Sequence, residues 1–345
     1  MFFFWRKVTL PIIGDNHKMK IDKETPEFAL INQYFKQLTT PRQDVVLGIG
    51  DDAALLQVPE ESLLVVSVDT MVSGVHFFED VAADALGHKA LAVNLSDMAA
   101  MGAEPSWATL ALTLPEVDEQ WIADFCRGFA GLANRYNVSL IGGDTTRGPL
   151  SVTVQIHGVV PKHQAMRRAG ARVGDDIYVT GTLGDAALGL RVLESAQALT
   201  ADQQTLVNRL ERPQPRVEAG LALRQLAHSA IDLSDGLLAD LGHILTQSGV
   251  GASLQLEQLP LSAELISVMG DDMDWSRVVS AGDDYELCLT LPAACREEVA
   301  AVARQLSLPI TRIGSIEAEP GLRCFDKPGK PWHSPQLGFD HFRAG

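Results

Sequence analysis

Residues 84–102 read DALGHKALAVNLSDMAAMG. Residues on one side recur at intervals of three and four, which predicts an amphipathic helix. That stripe consists of Leu86, Ala90, Val93 and Asp97. A carboxylate on an apolar stripe is expected to point inward. It then needs a partner, because an isolated charge is costly to remove from water.

Strand-like and helix-like stretches alternate on both sides of this helix. Two further helices are predicted over 27–38 and 119–137, and strands are predicted over 45–50, 63–69, 107–115, 138–144 and 150–160. Residues 165–176 are rich in charge and glycine and resemble a domain junction. The alternation predicts an α/β or α+β chain with two domains, which we place at 26–164 and 165–345.

A second series of elements follows the junction. The predicted helices are 185–196, 215–229, 237–248 and 295–306. The predicted strands are 176–181, 252–259, 285–291, 310–316 and a short 322–325, and the stretch AIDLSDG at 230–236 comes before the helix over 237–248. The chain contains no exact internal repeat, which argues against a solenoid or a propeller.

The charge balance argues against a nucleic-acid partner. The 345 residues include 28 basic and 44 acidic side chains, and the formal net charge is −16. A surface this acidic repels phosphate backbones. If the protein handles phosphates, it must obtain positive charge from elsewhere.

Cysteine spacing and hydropathy favour a cytoplasmic protein without a membrane partner. The four cysteines make no CxxC pair and are expected to be free thiols in a reducing compartment. No apolar run reaches the roughly 18 residues that a membrane helix needs. Residues 1–25 are interpreted as a disordered or non-native N-terminal extension. Within it, residues 1–18 resemble a tag or the product of an upstream start codon, and Met19 is interpreted as the natural first residue.

An aspartate after an apolar run is the recurring motif of this sequence. LGIGDDAA at 47–54 is one example, and the full set is Asp51, Asp52, Asp69, Asp97, Asp144, Asp232, Asp235, Asp283 and Asp284. One such aspartate is more often a helix cap or a turn residue than a ligand. Recurrence at predicted strand ends favours convergence, because loops at the carboxyl ends of strands meet at the ligand site of α/β folds.

Convergence of these carboxylates would require cations. Two carboxylates ~4 Å apart repel by about 4 kcal/mol at an effective dielectric constant of ~20. Several together would exceed the roughly 5–15 kcal/mol that keeps a domain folded, unless cations or protons neutralise them. Oxygen ligands without a His or Cys pattern indicate Mg²⁺ or Ca²⁺, and Mg²⁺ commonly completes its shell with water and substrate phosphates. Neither a Walker motif nor a protein-kinase signature is present.

Seven blocks resemble, in order, those of the thiamine-monophosphate kinase family. They are GIGDDAAL, SVDTMVSGVHF, KALAVNLSDMAAMGAEP, LIGGDTTRG, YVTGTLGDAALGL, AIDLSDGLLADLGH and GDDYELC, and the resemblance runs from about Glu27 to Phe342. It implies a two-domain fold like that of aminoimidazole ribonucleotide synthetase. In that fold the N-terminal domain forms a β-barrel across a homodimer, and an α/β domain follows.

The same resemblance implies the activity and its residues. ATP and thiamine phosphate would give ADP and thiamine diphosphate by direct in-line transfer with several Mg²⁺ ions and no general base. The implied metal ligands are Asp52, Ser67, Val68, Asp69, Asp97, Asp144, Asp232 and Asp235. The implied ATP contacts are Gly143, Asp144, Arg168 and Ser234. The implied thiamine phosphate contacts are His76, Asp283 and Phe339.

Two positions depart from the family pattern. Asp283 stands where the family commonly has Glu, so the contact there is one methylene shorter. Phe339 stands where Tyr is also used, which suits stacking on a thiamine ring without a hydroxyl. A lone His76 in a loop is otherwise typical of a core or surface residue, and Lys89 and Arg147 are equally consistent with helix or surface pairs.

Other functions remain open at the level of sequence. Selenophosphate synthetase would need a reactive Cys near the first glycine loop, and this chain has no Cys before position 126. The hydrogenase-maturation relative would need a C-terminal Cys, whereas this chain ends in DHFRAG. A metal-dependent phosphohydrolase would use water as the acceptor. A catalytically dead nucleotide-binding subunit would have no reason to keep so many costly carboxylates.

Overall fold

The computed structural model describes residues 26–195, 198–270, 273–327, 329–334 and 338, and the N-terminal extension lies outside them. Its α-helices are α1 Pro26–Gln33, α2 Ala83–Ala100, α3 Glu119–Arg135, α4 Asp185–Glu194, α5 Ala201–Glu211, α6 Val217–Leu223, α7 Leu237–Ser248, α8 Ala263–Met269, α9 Trp275–Val279 and α10 Arg296–Leu306. Its strands are β1 Val45–Leu47, β2 Leu55–Leu56, β3 Ser62–Val72, β4 Glu104–Leu114, β5 Ser139–Arg147, β6 Ser151–Pro161, β7 Asp175–Thr180, β8 Ser229–Asp232, β9 Gly251–Gln255, β10 Leu287–Pro292, β11 Ile310–Glu317, β12 Gly321–Lys327 and β13 Lys330–Trp332.

The first half of the chain builds a four-stranded sheet in the order β3-β6-β4-β5. The β4–β5 pair is parallel, and the other two pairs are antiparallel. Helices α2 and α3 pack against each other and carry much of the core, including Phe125 and Phe129. The sheet is mixed because α3 supplies the crossover between β4 and β5, whereas β6 returns beside β4.

The second half builds a seven-stranded sheet in the order β13-β12-β9-β11-β7-β10-β8. The β9–β12 pair is parallel, and the other described pairs are antiparallel. Its core includes Leu241 and Ile244 of α7, which are fully buried. The fold is therefore a two-domain mixed α/β structure, as the sequence predicted.

Strand β3 leaves an apolar edge exposed. Leu63, Leu64, Val66 and Val68 are 47–57% exposed on an edge strand that pairs with β6 alone. An exposed edge of this kind is normally charged, shortened or covered. The described residues of the first sheet form an open sheet rather than a closed barrel.

Helix α2 is buried on more than one stripe. Most of its residues are inaccessible to solvent, because the first sheet and α3 cover one part of it while α6, α5 and β8 of the second half cover the rest. The single apolar stripe that the spacing predicted was therefore too narrow. A helix that is apolar nearly all round is typical of a buried position.

Three short helices of the second half were not predicted: α5, α8 and α9. Polar residues dominate α5, which begins at a capping box formed by Thr200 and Gln203. The predicted helix over 215–229 was too long, since α6 ends at Leu223. No helix in the part of the chain that the structure describes is long and apolar enough to cross a membrane.

Candidate functional site

Three buried or half-buried carboxylates interact electrostatically where α2 passes between the two sheets. Asp69 lies on β3, Asp97 on α2 and Asp232 at the end of β8. The Ser67 hydroxyl of β3 donates a hydrogen bond to Asp97 Oδ2 at 2.5 Å. The Ser96 hydroxyl of α2 donates to Asp232 Oδ2 at 2.8 Å. Helix α2 is thus hydrogen-bonded to a serine of the first sheet and to an aspartate of the second.

Burial and mutual repulsion raise the pKa values of this cluster. Burial, followed by the charge of Asp97, raises the pKa of Asp69 to about 7. Burial, again followed by Asp97, raises the pKa of Asp232 to about 8. Burial also raises the pKa of Asp97, although the Ser67 hydrogen bond and the charge of Arg168 oppose it. The cluster therefore attracts positive charge.

The turn after β8 is held by a carboxylate one helical turn into α7. Asp240 accepts hydrogen bonds from the backbone N–H groups of Asp235 and Gly236, both at 3.1 Å. Burial raises the pKa of Asp240 to about 7, against these two hydrogen bonds. Asp235 and Ser234 are half-buried in this turn. Its backbone is thus fixed beside the cluster.

A second loop, residues 280–286, lies against this turn. The Asp283 N–H donates to Ser234 O at 3.0 Å, and the Tyr285 N–H donates to Leu233 O at 2.8 Å. Gly282 permits the approach, since a Cβ there would lie 2.1 Å from Ser234 O. Asp283 and Tyr285 have φ angles of 69° and 48°, which non-glycine residues adopt rarely. Such strain commonly marks functional loops.

A cavity of about 940 Å³ opens beside the two loops. Its wall includes His76, Phe77, Lys89, Ser234, Asp283 and Gly338. The Nδ1 atom of His76 accepts a hydrogen bond from the Val72 N–H at 3.0 Å, which places the proton of a neutral ring on Nε2. The wall is apolar with a few polar groups, as small-molecule sites usually are.

Several predicted residues come together here. Asp69 and Asp97 interact electrostatically with Asp232, and Ser67 bonds to Asp97. Asp235 lies near Asp240, and the charge of the exposed Arg168 reaches Asp97. Of the predicted ATP and substrate contacts, Ser234, His76 and Asp283 line the cavity. Phe339 lies outside the described residues.

Other predicted residues lie apart from the cluster. Asp52 and Asp144 are exposed, and in the described ranges neither has a hydrogen bond or ion pair to the cluster. Asp144 lies on β5, three strand spacings from β3, which is about 14 Å along the sheet. The Val68 side chain is 57% exposed, so a role for this residue would fall to its backbone.

Gly143 has a structural reason for being glycine. A Cβ at this position would lie 1.9 Å from Leu110 O of the adjacent strand β4. Close packing of two strands thus explains this glycine without any phosphate contact. Its predicted role at ATP stays a prediction.

Most of the predicted aspartates do not lie at the ends of strands, where the sequence placed them. Asp69 and Asp144 lie inside strands, Asp97 lies inside a helix, and Asp283 follows the helix α9. Asp232 ends its strand as expected. Because most pairs in both sheets are antiparallel, the carboxyl ends of the strands do not share one edge.

The residues present fit a hard divalent cation. The cluster offers carboxylate and hydroxyl oxygens, the donor set that Mg²⁺ prefers. Burial and the repulsion between these carboxyl groups raise their pKa values, and a bound cation would oppose both effects. No three His, Cys, Asp or Glu side chains among the described residues already stand at metal-binding distance. A cation would therefore draw the side chains together.

Four residues of this site were missed or undervalued by sequence reasoning: Ser96, Lys89, Asp240 and Tyr285. Ser96 and Asp240 lie close in sequence to predicted ligands. Spacing alone does not show that Ser96 bonds to Asp232 or that Asp240 bonds to the backbone of the turn after β8. Lys89 donates to Asp283 Oδ2 at 3.0 Å, across 194 positions of sequence. Tyr285 donates to Asp283 Oδ1 at 3.0 Å.

Two family descriptions match most of the chain. Residues 50–160 match AIR synthase related protein, N-terminal domain. Residues 172–327 match AIR synthase related protein, C-terminal domain. The gap between the two matches falls at the loop that joins β6 to β7.

Comparison with individual proteins identifies a more specific family within this match. The thiamine-monophosphate kinase of Escherichia coli K12 is 50% identical over 320 residues, which cover 92% of this chain and 98% of the relative. The crystal structure of the thiamine-monophosphate kinase of Stenotrophomonas maltophilia superposes with a TM-score of 0.82 at 50% identity, covering 87% and 96% of the two chains. AaThiL complexed with AMPPCP and TMP superposes with a TM-score of 0.72 at 30% identity, covering 85% and 92%.

Proposed function

The chain belongs to the thiamine-monophosphate kinase family, and we infer from this that it transfers the γ-phosphoryl group of ATP to thiamine phosphate. The products are ADP and thiamine diphosphate. The structural observation that carries this inference is the carboxylate cluster that β3, α2 and β8 build beside a ligand-sized cavity.

The geometry suits phosphoryl transfer between two polyanions. This reaction requires positioning of donor and acceptor and neutralisation of charge on the transferring group. The acceptor phosphate has a second pKa near 6, so it is largely a dianion at neutral pH and needs no strong general base. A cavity for the acceptor beside a cation-binding cluster meets both requirements.

We propose that the cluster holds Mg²⁺ through Asp69, Asp97 and Asp232, with Ser67, Asp235 and the Val68 backbone nearby. When bound, the metal neutralises phosphate oxygens and helps to align them. The chain's own contribution is to fix the ligands, since Ser67 orients Asp97 and Ser96 orients Asp232. Asp52 and Asp144 are proposed to join only when ATP brings further ions.

The nucleotide and the acceptor are proposed to meet at the cluster. Ser234, Arg168, Gly143 and Asp144 are the proposed ATP contacts. His76, Asp283 and Phe339 are the proposed acceptor contacts. Two of the acceptor residues line the apolar cavity, which suits the aromatic rings of thiamine.

We further propose a homodimer that closes the first sheet into a shared β-barrel. The support is the apolar edge strand β3, with Leu64 and Val66 exposed to 47% and 48%. A second copy would cover these side chains and pair their unpaired backbone groups.

We also propose that the protein works in the cytoplasm. All four cysteines are free, and Cys126, Cys288 and Cys324 are buried. This pattern is typical of a reducing compartment.

The experiment that tests the proposed reaction compares acceptors. Purified protein with ATP and Mg²⁺ is offered thiamine phosphate, thiamine, or water alone, and ADP and thiamine diphosphate are quantified. We expect equal amounts of ADP and thiamine diphosphate with thiamine phosphate and little ADP otherwise. ADP that forms equally without thiamine phosphate would instead identify a phosphohydrolase.

A further inference from the structure

Lys89 occupies an unusual position for a lysine. It lies on α2 with a side chain only 5% exposed, and it is the one lysine or arginine among the described residues that is buried. Lysine is almost never fully buried without a partner. Its Nζ atom is 3.0 Å from Asp283 Oδ2, and both residues line the 940 Å³ cavity.

The partner of Lys89 is held in a strained and accessible position. Asp283 has a φ of 69°, and its other carboxylate oxygen accepts the Tyr285 hydroxyl at 3.0 Å. The Asp283 side chain is 35% exposed, whereas that of Lys89 is only 5% exposed. The ion pair thus presents one positive and one negative group to whatever enters.

Other cations of the cavity wall lie at its rim. Arg191 and Arg277 are exposed, and Arg277 forms an ion pair with Asp274 at 3.0 Å. Among the described lining residues, Lys89 is therefore the cation that a ligand meets inside the cavity.

Lys89 lies on the same face of α2 as a residue that bonds to the carboxylate cluster. Lys89 and Ser96 are seven residues apart, two helical turns, so they lie on the same face about 10 Å apart along the axis. Ser96 bonds to Asp232 of the cluster, and Lys89 bonds to Asp283 of the cavity. An acceptor phosphate between cavity and cluster would lie between these two points.

We propose that Lys89 is the residue that selects a phosphorylated acceptor, by donating to the phosphate of thiamine phosphate while Asp283 is released toward the positively charged thiazolium ring. This inference rests on the proposed function. Thiamine phosphate carries a cationic ring and an anionic phosphate. It therefore replaces the ion pair between Lys89 and Asp283 with one charged contact to each of these residues. Thiamine lacks the anion, so it leaves Lys89 and Asp283 paired and binds less well.

A binding cycle tests this role separately from a structural one. Wild type and Lys89→Met, in Mg²⁺ without ATP, are titrated calorimetrically with thiamine phosphate and with thiamine. The wild type is expected to prefer thiamine phosphate by about tenfold or more, the worth of a charge-assisted hydrogen bond in a sheltered site. In Lys89→Met the preference falls to about twofold because thiamine phosphate alone loses affinity. Equal weakening of both ligands, or an unchanged preference, would overturn the proposal.

Control variants make the result interpretable. Lys162→Met removes a lysine paired with Glu61, outside the residues that line the cavity, and is expected to keep the wild-type preference. Lys89→Arg keeps the charge and is expected to retain most of the preference. If Lys89→Met does not fold, Lys89→Met with Asp283→Asn removes both charges together, and it too must lose the preference.

Kinetics distinguish failure of this proposal from failure of the proposed function. A wild type that forms no thiamine diphosphate would overturn both. A wild type that forms thiamine diphosphate, with a Lys89→Met variant whose KM for thiamine phosphate is unchanged, would overturn the role of Lys89 alone. We expect that KM to rise about tenfold while the KM for ATP stays near the wild-type value.

Discussion

Ser67 and Asp97 join the first sheet to the helix that crosses between the domains. The Ser67 Oγ atom lies 2.5 Å from Asp97 Oδ2 and donates to it, and Asp97 in turn raises the pKa values of Asp69 and Asp232. Asp97 is thus the central carboxylate of the cluster. It also repels both of its neighbours, and its replacement should have opposite effects on activity and on stability.

The Asp97→Asn variant is expected to lose turnover while it keeps the fold. The amide still accepts the Ser67 hydrogen bond, but a metal ligand is lost and the repulsion within the cluster is relieved. Melting without metal should therefore be unchanged or higher than in the wild type. Steady-state assays and differential scanning calorimetry measure the two effects, with Asp124→Asn on the surface of α3 as the matched control. Activity near the wild-type level would show that Asp97 is not a required metal ligand.

The Gly282→Ala variant is expected to weaken acceptor binding. The added Cβ would lie 2.1 Å from Ser234 O, so the loop 280–286 has to move away from the turn after β8. Asp283 moves with this loop, and the KM for thiamine phosphate should rise about tenfold. Gly131→Ala in α3 adds the same methyl group where nothing lies within 4 Å, and it should leave the KM unchanged. A wild-type KM in Gly282→Ala would show that the loop does not position Asp283.

The pH dependence of stability should report the ion pairs of Asp176. Burial raises the pKa of this carboxyl, but hydrogen bonds and charge from Arg296 and Arg312, at 2.6 and 2.5 Å, outweigh burial and lower the pKa below its usual 3.8. Because the folded-state pKa is the lower one, the stabilisation is present above pH 3.8 and is lost as pH falls through the folded pKa. Urea titrations of wild type and Asp176→Asn should differ at pH 7 and converge toward acid. A difference that stays constant from pH 7 to below 3.8 would contradict this assignment.

In the proposed dimer, a charge introduced on β3 should prevent the two copies from associating. Val66→Asp puts a carboxylate on the exposed apolar edge, which should separate the copies without disturbing the monomer core. Sedimentation equilibrium should then give the mass of one chain instead of two. Val173→Asp changes an exposed valine in the loop between β6 and β7 and serves as the control. A monomeric wild type would dismiss the proposed barrel.

The sequence predicted those parts of the fold that follow a strong local pattern. Helices α2, α3 and α10 were found within a few residues, because apolar spacing or a clear helix stop marks them. Helix α5 was missed because it is largely polar, although Thr200 and Gln203 form the capping box that begins it. Capping is a weaker sequence signal than an apolar stripe.

Only those residues of the candidate site that belong to a sequence motif could be predicted. Asp69, Asp97 and Asp232 were expected together, and the structure brings them into mutual electrostatic contact. The pairing of Lys89 with Asp283 depends on how α2 lies against the second domain, and no local pattern contains that information. Tertiary packing, rather than residue type, turns this lysine from a surface residue into a buried one.

In the proposed reaction the γ-phosphoryl group passes directly from ATP to thiamine phosphate. A single turnover with γ-labelled ATP, Mg²⁺ and excess thiamine phosphate tests it most directly, with rapid quenching and separation of all labelled species. Direct transfer predicts that label appears in thiamine diphosphate at the rate at which ADP forms, with no labelled protein at any time. Label that passes through the protein, or that ends in inorganic phosphate, would contradict it.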